Sequence, residues 1–160
     1  TMTSLMEGLI CKVWRDVMKV ELKTPFRRMS YHEAMGRYGS DKPDLRFGLE
    51  IQDLSGVFSN SSFQVLKNAS FVRAILAPGV GEKISRKDLD ELQAQAALYG
   101  AKGLLWMKFQ GQEVQSPAAK HLTPAEIQTL RERLGAKEGD LALLVADAKE
   151  KTVAESLGAV

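Results

Sequence analysis

Between residues 71 and 157, apolar runs of strand length alternate with helices whose ends are written into the sequence. Ser85 followed by Asp88, and Thr123-Pro124-Ala125-Glu126, are helix starts: a hydroxyl takes an otherwise unpaired backbone N–H, an acid three residues on reaches back, and Pro124 tolerates the first turn. Gly100 and Gly135 are matching stops. Leu89, Leu92 and Ala96 form one helical stripe; Ile127, Leu130 and Leu134 form another. Phe71–Leu76, Gly103–Phe109 and Leu141–Ala146 read as strands. The second is apolar enough for a central strand covered on both faces. Phe47, Leu49 and Ile51 alternate with Gly48, Glu50 and Gln52, as in a half-buried strand. A Gln110–Gln112 turn leads to a short edge piece around Val114, and a last helix covers Ala148–Leu157. With no repeat at fixed period, this order predicts an α+β fold: a mixed, mainly antiparallel sheet of four to five strands with about three flanking helices.

A helical segment precedes it. Leu5, Leu9, Val13 and Val17 recur every fourth residue, with Met6, Ile10, Trp14 and Met18 beside them. Two adjacent stripes make a broad apolar face that needs a large partner surface, so the helix is expected to come from a larger body. Cys11 and Trp14 sit in this pattern and read as packing residues. Glu21–Met29, containing Pro25, is an extended connection. Ser30 and Glu33 then form a capping box for a short helix ending at Gly39. The natural boundary falls near Phe47, giving segments 1–47 and 48–160.

Tyr38–Phe47 joins the two. Gly39 and Pro43 resist helix continuation, and Asp41 and Asp44 alternate with Lys42 and Arg46. The stretch reads as an ordered loop that either pairs its own charges or holds them out for a partner.

At 44% hydrophobic and 26% charged residues, the composition is that of an ordinary globular chain. No run of 18 apolar residues occurs, so no membrane partner is expected. Thr1-Met2-Thr3-Ser4 lacks a signal-peptide pattern, and a single cysteine fits a reducing, cytoplasmic setting. The net charge of +2 is too small to argue for nucleic acid alone. Residues 1–47 hold nine Lys/Arg against six Asp/Glu, and the remainder thirteen against fourteen.

Signals for chemistry are mostly lacking. Gly79-Val80-Gly81 is not followed by the Lys-Ser/Thr of a phosphate loop, and His32 and His121 have no ligand partner at helical spacing. The lone thiol has no paired histidine. Asp88, Asp90 and Glu91 favour a helix start and its outer side. Basic residues adjoin aromatics at Phe26-Arg27-Arg28 and at Arg46-Phe47, while Lys120-His121 is a third polar spot. Each can contact a phosphate or stack on a base; the competing reading is a solvated cation beside a core aromatic.

The run Pro25-Phe26-Arg27-Arg28-Met29-Ser30-Tyr31, then Glu33-Ala34-Met35, then Tyr38 through Phe47, closely resembles bacterial-type aspartyl-tRNA synthetase where the chain leaves the class II catalytic core for an inserted domain. Residues 48–160 resemble that inserted GAD domain, which is shared with the B subunit of the tRNA-dependent amidotransferase. Ser116-Pro117-Ala118-Ala119-Lys120-His121-Leu122 and Leu157-Gly158-Ala159-Val160 support the match. Arg27 stands where the family usually has Pro, and His121 where it usually has Phe. The resemblance implies a parent that activates aspartate with ATP and Mg²⁺, transfers it to tRNA-Asp and acts as a homodimer. The family's motif 2 and motif 3 do not occur here, so no catalytic, cofactor-binding or metal residue is carried over. Lys42, Arg46, Arg27, Arg28 and Lys120 are the candidate tRNA-contact or junction residues. The alternative is a stand-alone RNA- or protein-binding module, such as the GAD domain of the amidotransferase subunit, with an amidotransferase as possible partner.

Overall fold

The computed structural model describes residues 1–111 and 113–160. The chain divides into two compact units, Thr1–Ser30 and Tyr31–Val160. The division after Ser30 groups the short helix and the charged loop with the second unit.

In the first unit, α1 (Met2–Val13) continues as a π-helical turn over Trp14–Met18 and stops at Lys19, whose φ of 58° is left-handed. No residue of this helix is buried within the unit. Leu5, Leu9, Trp14 and Val17 are exposed. Glu7 accepts the Phe26 N–H at 3.3 Å and fastens the extended connection to the helix.

The second unit is built on a five-stranded sheet. Its strands are β1 (Gln52–Asp53), β2 (Phe71–Ala77), β3 (Leu105–Gln110), β4 (Glu113–Gln115) and β5 (Leu141–Asp147), in the order β1-β2-β5-β3-β4. Every pairing among the described residues is antiparallel. The helices are α2 (Tyr31–Tyr38), α3 (Gln64–Lys67), α4 (Arg86–Leu98), α5 (Pro124–Leu134) and α6 (Glu150–Gly158), with a 3₁₀ turn at Ala119–His121.

The sheet lies between two apolar clusters, and the pleat assigns residues to each. From β5, Ala142 and Leu144 point into the cluster holding Phe58, Leu66, Phe109 and Leu130. Leu141, Leu143 and Val145 point into the other, with Leu89, Ala96, Val153 and Leu157. With both faces buried, β5 is an unbroken apolar run and the middle of the sheet. Sequence reading gave that place to residues 103–109. They form β3, one strand from the edge, where Trp106 and Lys108 are only half-buried.

A second expectation fails more plainly. The alternation of Phe47, Leu49 and Ile51 does not make a strand: β1 begins at Gln52, and Phe47 and Leu49 are exposed. Only Ile51 reaches the core, with its N–H bonded to the Arg37 carbonyl at 2.7 Å. The apolar alternation lacks a neighbouring strand at that point, and period-two patterning without a pairing partner makes no ladder. The 110–112 turn was expected to hinge on Gly111, which has φ of 56°; Gln112 lies outside the described residues.

The capping boxes predicted at Ser85 and at Thr123 are present. The Thr123 hydroxyl accepts the Glu126 N–H at 3.3 Å, and the Glu126 carboxylate accepts the Thr123 N–H at 2.7 Å. Replacing Thr123 with Ala should cost about 1 kcal/mol, read as a lower urea midpoint at unchanged slope. Gly135 closes this helix at φ 65°.

Candidate functional site

The charged loop begins where α2 runs into α6. Gly39 has φ +67°, and a Cβ there would lie 1.9 Å from the Ala154 carbonyl oxygen. From the other side, a Cβ on Gly158 would lie 2.5 Å from the Tyr38 carbonyl oxygen. Two glycines thus let backbone meet backbone, and the loop departs from a fixed point. Arg37 anchors it from α2. Its guanidinium donates to Glu50 at 2.6 and 3.1 Å and to Glu33 at 2.7 Å, while the Tyr38 hydroxyl donates to Glu50 at 3.2 Å. The Glu50 and Glu33 carboxylates raise the Arg37 pKa further above its ordinary value.

Within the loop, Asp44 accepts the Arg46 N–H at 3.0 Å and the Arg46 Nε at 2.9 and 3.0 Å, and also pairs with Arg46 Nη2. The guanidinium carbon lies 5.9 Å from the Phe47 ring centroid. Arg46 is therefore claimed by its own loop, although 84% of its side chain is exposed. The Arg46 side chain, with its backbone N–H, holds the Asp44 pKa down at about 2. A lowered carboxyl pKa adds stability above its unfolded value of 3.8 that is lost as pH falls towards 2. NMR titration of the Asp44 carboxyl should show a midpoint near 2, with the loop loosening as pH falls through that value; a midpoint at 3.8 would mean that the pair is absent in solution.

Lys42 is exposed, with its backbone N–H given to Ser40 Oγ at 3.1 Å. Together with Asp44, Phe47, Leu49 and Leu157, it lines a groove of about 360 Å³. The structure thus joins Lys42 and Arg46 on one loop. Lys120 is exposed on the 3₁₀ turn of the same unit but is not among the residues lining this groove. Arg27 and Arg28 belong to the first unit; both are exposed, and Arg28 Nη2 lies 3.6 Å from Glu7. His32 and His121 are exposed, and His121 stacks on Phe63 with centroids 5.1 Å apart and planes 13° apart.

Two features escaped sequence reading. The Arg37–Glu50 pair spans thirteen positions and carries no local motif. A larger groove, about 620 Å³, lies elsewhere on the second unit, between α3, the Lys102–Trp106 stretch and the end of β5. The indole in an apolar run was its single trace in the sequence. Among the described residues, no group of three His, Cys, Asp or Glu side chains could hold a metal ion, and no helix is long and apolar enough to cross a membrane.

Comparison with known proteins agrees with the sequence motifs. Residues 63–157 match the GAD domain. The chain is 49% identical over 156 residues to an aspartate–tRNA(Asp/Asn) ligase of Caldanaerobacter subterraneus subsp. tengcongensis, covering 95% of this chain and 26% of that protein. It is 46% identical over 160 residues to an aspartate–tRNA ligase of Geobacillus kaustophilus, covering 98% and 27%. It is 48% identical over 160 residues to an aspartate–tRNA(Asp/Asn) ligase of Moorella thermoacetica, covering 98% and 26%. The chain therefore spans about a quarter of the length of these relatives.

Proposed function

This chain belongs to the GAD domain family, and on that premise we propose that it is a segment of an aspartate–tRNA ligase, a cytoplasmic enzyme of protein synthesis. The carrying observation is that identity of 46–49% runs through nearly the whole chain, well upstream of the residues that match the GAD domain. An amidotransferase subunit would account for the GAD match and not for the Tyr38–Phe47 text.

In this reading, residues 1–47 are a helical segment of the parent's catalytic core and the junction loop, and residues 48–160 are the inserted domain. The exposed apolar face of α1 packs against the rest of the core. The parent's ATP and Mg²⁺ act elsewhere in the longer protein, and no step of aspartate activation is routed through this chain's residues. The inserted domain is structural, or accessory to tRNA or partner docking, within a homodimeric parent that charges tRNA-Asp.

The charged loop is the junction. Arg46 is held by Asp44, and Arg37 by Glu50 and Glu33, so their charges set the loop's shape. Lys42 makes no ion pair among the described residues and is the loop's remaining candidate for tRNA contact.

The test is aspartate-dependent ATP–pyrophosphate exchange by the longer protein that contains this chain and by the 160-residue chain alone. Turnover by the longer protein, with none above background for the chain, is the expected result. A longer protein that activates no aspartate overturns the reading.

A further inference from the structure

The 620 Å³ groove has no part in the junction, and its lining is of a different kind. Its volume suits a small planar ligand, in the range of about 300–1,000 Å³ usual for such sites. Two aromatic rings, Phe63 and Trp106, are partly exposed in it. Phe63 is already stacked on His121 in a near-parallel arrangement that a third ring can extend. Three exposed or half-exposed carboxamides surround the rings: Gln64, Asn68 and Gln93, with Asn68 Nδ2 donating to Gln64 Oε1 at 3.3 Å. A carboxamide offers donor and acceptor on one edge, the pattern that pairs with the edge of a nucleobase.

One lysine and one aspartate line the groove, with further lysines nearby in sequence. Lys102 lines it with 86% of its side chain exposed, and its Nζ lies 3.8 Å from Asp147, a loose contact. Asp147 is the acid of the lining; its side chain is only 8% exposed and already accepts the Lys149 N–H at 2.9 Å. Lys67 and Lys149 are exposed and adjoin in sequence the lining residues Asn68 and Ala148, and Lys120 is exposed next to His121, which stacks on the lining residue Phe63. Stacking surfaces, carboxamides and a cationic margin are what an unstacked base and its flanking phosphates require.

We propose that this groove binds an unpaired nucleotide of single-stranded RNA, with the base between Phe63 and Trp106 and the backbone against Lys102 and Lys120. The proposal deepens the docking role given above. Its test needs no aminoacylation, so its failure is distinct from failure of the ligase reading.

The chain has two tryptophans, and Trp14 lies in the first unit. Trp14→Phe leaves Trp106 as the sole indole and hence as a reporter inside the groove. RNA hexamers of A or of U should quench its fluorescence. Affinity should fall with salt at a logarithmic slope of about −0.7 per phosphate contact. Lys102→Glu should weaken the hexamer at least fivefold. Lys120→Glu should do the same, and it stands clear of Asp147 should the first variant fold poorly. Lys87→Glu, on the outer side of α4 beside Glu91, should leave affinity unchanged. The proposal is overturned if hexamers leave Trp106 unquenched, or if both groove variants bind as the parent does. It is equally overturned if AMP alone binds as tightly as the hexamer, which makes the site one for free nucleotides. Quenching by a short apolar peptide and not by RNA would make the groove a protein interface and also overturn it.

Discussion

Gly39→Ala should destabilise the second unit by more than about 3 kcal/mol, enough to lower its melting temperature by roughly 6–12 °C at 2–4 °C per kcal/mol. Two costs combine. An alanine at φ +67° pays about 1–2 kcal/mol for the left-handed backbone alone. Its Cβ would also sit 1.9 Å from the Ala154 oxygen and 2.8 Å from the Ala154 carbonyl carbon, atoms of the α6 backbone that cannot swing aside. Relief requires α2 and α6 to separate, which pulls on the buried Val153 and Leu157. Gly48→Ala is the internal control. Gly48 has the same sign of φ, at +66°, but nothing lies within 4 Å of its would-be Cβ, so only the backbone cost of about 1–2 kcal/mol remains. Urea unfolding of both variants separates the close approach from the strain. Equal losses would mean that the glycine contact is not as described.

Phe109→Ala is the other large effect, about 3–5 kcal/mol. Phe109 is fully buried on β3, against the cluster with Phe58, Leu66 and Leu130. The ring also faces a charge: the Arg131 guanidinium carbon lies 5.2 Å from its centroid, and the buried Arg131 Nη2 makes no hydrogen bond. Removing the ring opens a cavity and strips that cation of its aromatic neighbour. Phe109→Leu fills most of the space and should cost less, about 1–3 kcal/mol, part of it from the lost ring face. Losses of the same size for Leu and Ala would assign the effect to the charge and not to the cavity.

The sequence showed most clearly what is decided locally. Capping hydroxyls, the Pro124 start and the Gly135 stop act within a turn of helix, so both long helices of the second unit could be placed from their own residues. Strand β5 was legible because burial on both faces leaves an unbroken apolar run, and β2 because its run is apolar apart from Arg73. What is decided by a distant neighbour was less legible. Phe47–Ile51 had the period of a strand and no strand to pair with. Residues 103–109 were as apolar as a central strand and lie beside the edge, because position in a sheet depends on the order of pairing. The candidate site divides in the same way. Self-pairing of Asp44 with Arg46, two residues apart, was one of two readings open from the text. The Arg37–Glu50 anchor and the Gly39–Gly158 approach join segments far apart in the chain and left no local pattern in it, and the 620 Å³ groove left only the indole in an apolar run. The family resemblance was carried chiefly by the charged loop.

The account rests on Arg46 shaping the charged loop as a junction residue and not contacting tRNA. The most direct measurement is the tRNA-Asp affinity of the longer protein that contains this chain, carrying Arg46→Glu, taken at two salt concentrations. A self-paired Arg46 predicts affinity within about twofold of the parent and an unchanged salt slope. An affinity reduced tenfold or more, with a slope shallower by about one phosphate, would contradict it and place Arg46 on the nucleic acid.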